Sequence, residues 1–304
     1  MRRTLFALSL ILVFGLILSA CSPAPTPTPT TAPAVEESAP TEAAVEVVLV
    51  SEPEGCLGTA EDAIVDLGCR EITIAVENAY LPFNYISLET GEPGGWDYDV
   101  WNEICTRLHC TPVYTEAAWE GLIQAISDGQ YDVGADGITV TADRAEIVDF
   151  SMGYININQR LLVRRGEDRF DSIESFVANE SLQIGTQSQT TNYETAASYL
   201  PEDRISAFEQ FPFAVQALMT EEIDAVMIDQ VAGMGYMGEN AESLDFIGPK
   251  ITSEALGFIY PQGSDLVGPV DQALQSMMDD GFLQGVNAFY FGPDFDITYD
   301  DIAE

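Results

Sequence analysis

One pattern is written twice in this chain, and it limits the possible folds more than any other feature. Residues 121–133 read GLIQAISDGQYDV and residues 214–226 read AVQALMTEEIDAV. In both, apolar residues at helical spacing give way to a short polar turn and then to the opening of a strand. Both strands run straight into polar residues, Asp136 and Gly137 in the first and Asp229 in the second. The surroundings repeat as well. The first copy is framed by a strand over 71–76, a helix from Trp96 to Leu108 with Asp97 as its N-cap, and a strand over 111–115. Its own helix is expected from Trp119 to Ile126 and its strand from Tyr131. The second copy follows a strand over 182–185 and a polar turn at 187–191 that opens a helix through Tyr199. It supplies a helix over 213–220 and a strand over 223–229, and a strand over 255–260 and an amphipathic helix over 269–289 come after it. Strands alternating with helices of this length predict α/β units on largely parallel sheets, and two such units predict two lobes. Ligands of such sheets bind at the carboxyl ends of the strands.

The N-terminus has a different character. Arg2 and Arg3 precede an apolar run from Leu5 to Ala20. That run is shorter than the roughly 20 residues a membrane span needs and fits a removable secretion signal over residues 1–20. It ends in Leu18-Ser19-Ala20-Cys21, which resembles the bacterial lipobox and so implies acylation of Cys21; an ordinary cleaved signal is the alternative. Residues 21–50 are dominated by Pro, Thr, Ala and Glu, with Pro-Thr repeating at 25–30. Such a stretch cannot bury apolar surface and reads as a disordered tether. The body is therefore expected outside the cytoplasm, in the cell envelope, held to the membrane by a lipid alone.

Cysteine usage agrees with export. Cys56, Cys69, Cys105 and Cys110 remain once Cys21 is set aside. An even number outside the cytosol suggests two disulfides; three pairings are possible, and the local one, Cys56–Cys69 with Cys105–Cys110, is the simplest. Residues 51–70 then form a disulfide-containing segment ahead of a body that starts near Glu71. A metal site on Cys105, His109 and Cys110 lacks a fourth ligand, so no metal is expected.

Charge excludes some functions. Fifty acidic against 11 basic residues give a net charge of −39, which leaves no means of neutralising phosphates, so nucleic-acid binding is ruled out. Nucleotide-binding glycine loops, HExxH and GxSxG are absent, and His109 is the single histidine. No cofactor is expected. The informative segment is ADGITVTADR at 135–144. Gly137 lets a ligand approach the backbone, and Thr139 adds an amide and a hydroxyl. Arg144 is expected in the first turn of a helix, where a cation opposes the helix dipole and calls for an anionic partner. A bidentate ligand carboxylate is one candidate, and Glu146 or Asp149 is another.

Five motifs follow in order: Tyr80-Leu81-Pro82-Phe83, Gly95-Trp96-Asp97-Tyr98-Asp99, Trp119-Glu120-Gly121-Leu122-Ile123, Thr139-Val140-Thr141-Ala142-Asp143-Arg144 and Val148-Asp149-Phe150-Ser151. Together they resemble the bacterial extracellular solute-binding proteins, family 3, from about Glu71 to Phe291. The resemblance implies a two-lobed type II periplasmic-binding-protein fold with a ligand cleft between hinged lobes, one of residues 71–162 and 256–304, the other of 166–252. It implies a monomer that captures an amino acid and hands it to the permease and ATPase subunits of an ABC importer. By the same resemblance Arg144 clamps the α-carboxylate, helped by Gly137, Thr139 and the amide of Thr190. Asp229 takes the α-ammonium, Tyr80 and Trp119 sandwich the side chain, and Glu77 makes a polar contact to it. The chain departs from the family pattern at Gln189, Asp136 and Ile228. Glu77, Glu120, Asp136 and Asp229, against Arg144 alone, favour a basic or neutral polar side chain. Two other readings share the fold: a cyclohexadienyl or arogenate dehydratase with Glu77 or Glu120 as general acid, and a ligand sensor for a membrane receptor.

Overall fold

The computed structural model describes residues 55–240, 242–292 and 295–303. The signal over 1–20, the tether over 21–50 and Cys21 lie outside the described residues. Strand β1 (Arg70–Val76) carries Ile72, Ile74 and Val76 into one core and Ala75 into another, so it is covered on both faces. Such strands read as near-continuous apolar runs because helices lie on each side. A small patch of β2 (Ala79–Tyr80), β3 (Asn84–Ile86) and β4 (Pro93–Gly94) follows. Then come α1 (Trp96–Leu108), β5 (Cys110–Glu116), α2 (Leu122–Ser127), β6 (Val133–Gly134), β7 (Val148–Phe150) and β8 (Ile155–Ile157). The second unit contains β9 (Gln159–Arg164), α3 (Ile173–Ala178), β10 (Ile184–Gln187), α4 (Thr191–Tyr199) and β11 (Ile205–Phe208). It continues with α5 (Phe211–Met219), β12 (Ala225–Asp229), α6 (Gln230–Asn240) and β13 (Leu244–Ile247). The chain returns through β14 (Glu254–Leu256) and β15 (Ile259–Pro261) to α7 (Val267–Asp279) and α8 (Phe282–Tyr290).

The repeated pattern becomes two sheets of one plan, ordered β5-β1-β6-β15-β7 and β11-β10-β12-β9-β13. In each, three parallel strands are followed by one antiparallel strand. That antiparallel strand is the one that enters just after the chain has crossed from the other sheet. The two crossings run side by side as β8 paired with β14. Because β9 pairs on both sides inside the second sheet, the expected lobe boundary at 162 falls within a strand.

Several local expectations are corrected. Asp97 is not the N-cap of α1; Gly95 is, with φ 124°, and a Cβ there would meet the Phe83 carbonyl oxygen at 2.3 Å. Only glycine fits that approach. Asp97 instead lies fully buried inside the first turn. Helix α2 starts at Leu122, and Trp119 stands in the turn before it, where its carbonyl accepts from Leu122 N–H at 3.0 Å. The strand expected over 255–260 is two strands in different sheets, and the helix over 269–289 breaks at Gly281, φ 85°. Arg144 sits in a single 3-10 turn, Arg144–Glu146, rather than an α-helix.

The folded body also begins before Glu71. Segment 55–69 clasps the end of α1 through Leu57 N–H to Cys110 O at 2.9 Å, Ile64 N–H to Arg107 O at 2.8 Å and Leu67 N–H to Leu108 O at 2.9 Å. The disulfides take the local pairing, Cys56–Cys69 and Cys105–Cys110. Among the described residues no helix is long and apolar enough to cross a membrane.

Candidate ligand cleft

Both sheets turn their carboxyl ends toward one space. Glu77 follows β1, Asp136 and Gly137 follow β6, Gln187 ends β10 and Asp229 ends β12. These residues line a cleft of about 320 Å³ together with Tyr80, Trp119, Thr139, Arg144, Thr190, Thr191, Asn192 and Phe211. Of the cleft residues singled out in the sequence, the structure thus brings together Glu77, Tyr80, Trp119, Asp136, Gly137, Thr139, Arg144, Thr190 and Asp229. Glu120 does not join them. It is exposed on the rim, where its Oε1 accepts from Gln189 Nε2 at 2.9 Å. That location removes it as a buried general acid.

The lobes are closed on one another. The Tyr80 hydroxyl donates to Asp229 Oδ2, and Gln187 Nε2 donates to Glu77 Oε1 at 3.0 Å. Thr139 Oγ1 and Thr191 Oγ1 share a hydrogen bond of 3.3 Å. Each of these links joins a group from the lobe of the first sheet to one from the lobe of the second.

Arg144 is buried, and its hydrogen bonds go to carbonyls: Nη1 to Thr139 O at 3.0 Å and Nη2 to Gln189 O at 3.4 Å. Its guanidinium also stands 5.4 Å from the Trp119 ring centre. The alternative partner Asp149 is engaged elsewhere, accepting from Gly263 N–H at 2.6 Å. Burial pushes the guanidinium below its ordinary value, opposed by the charges of Glu194, Glu254 and Asp229. A buried cation whose hydrogen bonds, among the described residues, go to neutral carbonyls retains a strong preference for a carboxylate, which it can take bidentately.

The acids in the cleft show the complementary strain. Burial, with the Asp136 charge adding to it, raises the Glu77 carboxyl to about 9. Asp136 is raised to about 7, chiefly by burial, against a stabilising hydrogen bond from Asn84. Asn84 Nδ2 donates to Asp136 Oδ1 at 2.7 Å and to Asp97 Oδ2 at 2.9 Å, and Asp97 too is driven well above the carboxylate range by burial. Asp229, also buried, rises to about 6 despite the bonds from Tyr80 and Asn192.

Local backbone explains the remaining placements. Gly137 has φ 56°, and a Cβ there would lie 2.8 Å from Tyr80 Cε1, so both conformation and space demand glycine. Thr190 caps α4: its hydroxyl accepts from Tyr193 N–H at 3.1 Å and donates to Gln187 O at 2.7 Å. The cleft therefore meets a helix N-terminus, a natural receptor for anionic oxygen. The departure at Gln189 is accommodated by a left-handed backbone, φ 58°. The sequence reading missed Gln187, Thr191, Asn192 and Phe211 as lining residues. The first three belong to a stretch already read as a polar turn entering a helix, and the period of that turn carries no sign of which side chains face inward. Phe211 stacks on Tyr80 at 6.0 Å between ring centres, a cross-lobe contact that no local pattern encodes.

Comparison with known proteins places this geometry. The family described as bacterial extracellular solute-binding proteins, family 3, matches residues 72–293. A probable histidine-binding protein of Neisseria gonorrhoeae is 26% identical over 243 residues, 78% of this chain and 89% of the relative. The crystal structure of the arginine-, lysine-, histidine-binding protein ArtJ from Geobacillus stearothermophilus superposes with a TM-score of 0.67 at 25% identity, covering 73% of this chain and 95% of ArtJ. An ancestral amino-acid-binding protein described as a precursor of cyclohexadienyl dehydratase gives a TM-score of 0.66 at 26% identity, covering 73% and 95%.

Proposed function

The chain belongs to the bacterial extracellular solute-binding proteins, family 3, and from that membership we propose that it captures a free amino acid with a basic side chain. The observation that carries this reading is the charge balance of the cleft. One buried guanidinium, Arg144, faces three buried carboxyls that line the same space, Glu77, Asp136 and Asp229. A single carboxylate satisfies the guanidinium, and an ammonium satisfies Asp229. A second cation on the side chain would let Glu77 and Asp136 ionise, whereas an acidic side chain would meet repulsion. A neutral polar side chain can hydrogen-bond the protonated acids and is the weaker fit. Relatives named for histidine, arginine and lysine binding agree with this order.

Arg144 clamps the α-carboxylate together with Thr139, Gly137 and the amide end of α4 at Thr190. Asp229, held by Tyr80 and Asn192, receives the α-ammonium. Trp119 and Tyr80 bound the side chain, and Glu77 and Asp136 answer its charge. One lobe comprises the β5-β1-β6-β15-β7 sheet with its helices, the other the β11-β10-β12-β9-β13 sheet, and the β8–β14 pair is the hinge. Ligand binding to the closed form shifts the hinge equilibrium toward closure by its differential affinity. The monomeric body, tethered through lipidated Cys21, then delivers the ligand to the permease and ATPase of an ABC importer.

Calorimetric titration of the full chain with arginine, lysine, ornithine, histidine, glutamine and glutamate tests this. Tight binding of one or more basic amino acids with glutamate silent is the expected result. Binding of glutamate in preference to all basic ligands, or no response from any amino acid, overturns it.

A further inference from the structure

Away from the cleft, a second group of reactive side chains gathers where segment 55–69 meets the end of α1. His109 closes that helix in a left-handed conformation, φ 53°, with its ring buried. Its Nδ1 lies 2.7 Å from Asp66 Oδ1, and its Nε2 lies 3.1 Å from Cys69 Sγ. Cys69 is disulfide-bonded to Cys56; it is 8% exposed, whereas Cys56 is partly open to solvent. The carboxylate, the imidazole and the disulfide are thus linked in sequence, Asp66 to His109 to Cys69 to Cys56, with the residue that is more open to solvent at the end of the series. The other disulfide, Cys105–Cys110, has both residues fully buried.

We propose that Cys56–Cys69 is a thiol–disulfide exchange site, in which His109, positioned by Asp66, receives the departing Cys69 sulfur. The co-reactant is a dithiol. One of its thiols attacks Cys56 Sγ, forming a new sulfur–sulfur bond there while the Cys56–Cys69 bond breaks with its electron pair left on Cys69. The proton of the attacking thiol ends on His109 Nε2, so an imidazolium faces the Cys69 thiolate. The second thiol then attacks the sulfur of its own partner in the mixed disulfide. The dithiol leaves oxidised as a cyclic disulfide, and Cys56 leaves as a thiol carrying the second proton. Two electrons pass to the protein and two protons accompany them.

The geometry sets the direction of attack. A thiol whose thiolate is stabilised leaves faster, and a neighbouring imidazolium stabilises a thiolate. Asp66 engages the ring at Nδ1 and fixes its orientation, so Nε2 is turned to the Cys69 sulfur. Cys56 has no such neighbour at hydrogen-bond distance among the described residues, so it is the sulfur to be attacked and Cys69 the sulfur to leave. Exchange need not release the segment, because the backbone bonds from Leu57, Ile64 and Leu67 to residues 107–110 do not depend on the disulfide. The site is independent of solute capture.

The full chain is incubated under native conditions with dithiothreitol, quenched with an alkylating agent and mapped by peptide mass spectrometry. Cys56 and Cys69 are expected to label at least about tenfold faster than Cys105 and Cys110. Asp66 is half-exposed, so Asp66→Asn tests the relay without touching the core, and should slow labelling several-fold, with His109→Gln slowing it further. With glutathione as a monothiol probe, the adduct should form on Cys56. An adduct predominantly on Cys69, equal labelling of the two disulfides, or unchanged rates in both variants overturns the proposal.

Discussion

The two sheets share a plan, yet their ends meet the cleft with opposite chemistry. The first sheet brings charge: Glu77, Asp136 and Arg144, with Asp97 behind them, all buried. The second brings one acid, Asp229, among neutral groups: Gln187, Thr190, Thr191 and Asn192. The neutral wall is bonded in part within its own lobe, through the Thr190 cap, the bond from Gln159 Nε2 to Thr191 Oγ1 at 3.1 Å and the bond from Asn192 to Asp229, while Gln159 Oε1 and Asn192 Oδ1 have no partner among the described residues. The charged wall is strained in another way: its side chains are hydrogen-bonded, yet the same burial pushes its acids up and its guanidinium down. A repeated α/β unit can therefore be divided into a half that stores electrostatic strain and a half that supplies dipoles. The strain is relieved by whatever charge the closed cleft takes in.

If the charged wall dominates binding, Arg144→Ala has the largest effect. Removing one partner of a buried charge pair costs about 2–5 kcal/mol, so affinity for arginine should fall by about 30- to 4,000-fold in a calorimetric titration. The ligand-free protein should not lose stability in step, because no carboxylate among the described residues is paired with the buried guanidinium. A loss in affinity of less than about tenfold would move the carboxylate anchor elsewhere. Asp229→Asn comes next. It keeps the shape of the hydrogen-bonded group beside Tyr80 and Asn192 but removes the charge, and a charge-assisted bond of about 1.5–3 kcal/mol predicts a loss of about 10- to 150-fold. Equal losses in Asp229→Asn and Arg144→Ala would erase the contrast between the two walls.

The division between the walls was only partly legible in the sequence. The two copies at 121–133 and 214–226 announced two α/β units because helical and strand periods are local. The cleft residues at strand ends, Asp136, Gly137 and Asp229, were visible for the same reason. What periodicity does not carry is burial across a cleft. Asp97 looked like a helix cap because its position relative to the apolar run was right, but Gly95 holds that place and Asp97 is drawn inward to Asn84. Glu120 and Glu77 looked equivalent as nearby acids, yet one is exposed on the rim and the other is buried. The single strand expected over 255–260 concealed the hinge, since the split into β14 and β15 depends on partners about a hundred residues earlier in the chain.

The strain on the charged wall gives a pH signature of intermediate size. Glu77, at about 9, and Asp136, at about 7, hold protons in the folded ligand-free form that they would lose on unfolding. Their contribution to stability is therefore full below about pH 4, near their unfolded values, and is lost as pH rises through the folded values. Urea denaturation of the ligand-free protein should show stability falling between pH 5 and about 9 from these groups. A cationic side chain reverses the preference by favouring the ionised acids, so binding releases protons. Affinity for arginine should then rise by about tenfold from pH 6 to 8. Glu77→Gln should reduce both slopes, and slopes unchanged in that variant would remove Glu77 from the account.

The smallest effect is expected at the rim, where the two walls also touch. Gln189 Nε2 donates to Glu120 Oε1 across the closed lobes at 2.9 Å, and Glu120 is exposed. A hydrogen bond in that setting competes with water at both ends, so closing the lobes replaces solvent contacts rather than creating new ones. Glu120→Ala should change affinity by less than about threefold, within the range of surface substitutions that touch no buried group. The same variant separates two sources of closure. If rim contacts hold the lobes together, the dissociation rate measured by stopped-flow fluorescence of the cleft tryptophan, Trp119, will rise far more than affinity changes in the other mutants would imply. If the buried charges hold them, the rate will stay near that of the unmodified protein, and the work of closure lies with Arg144, Glu77 and Asp229.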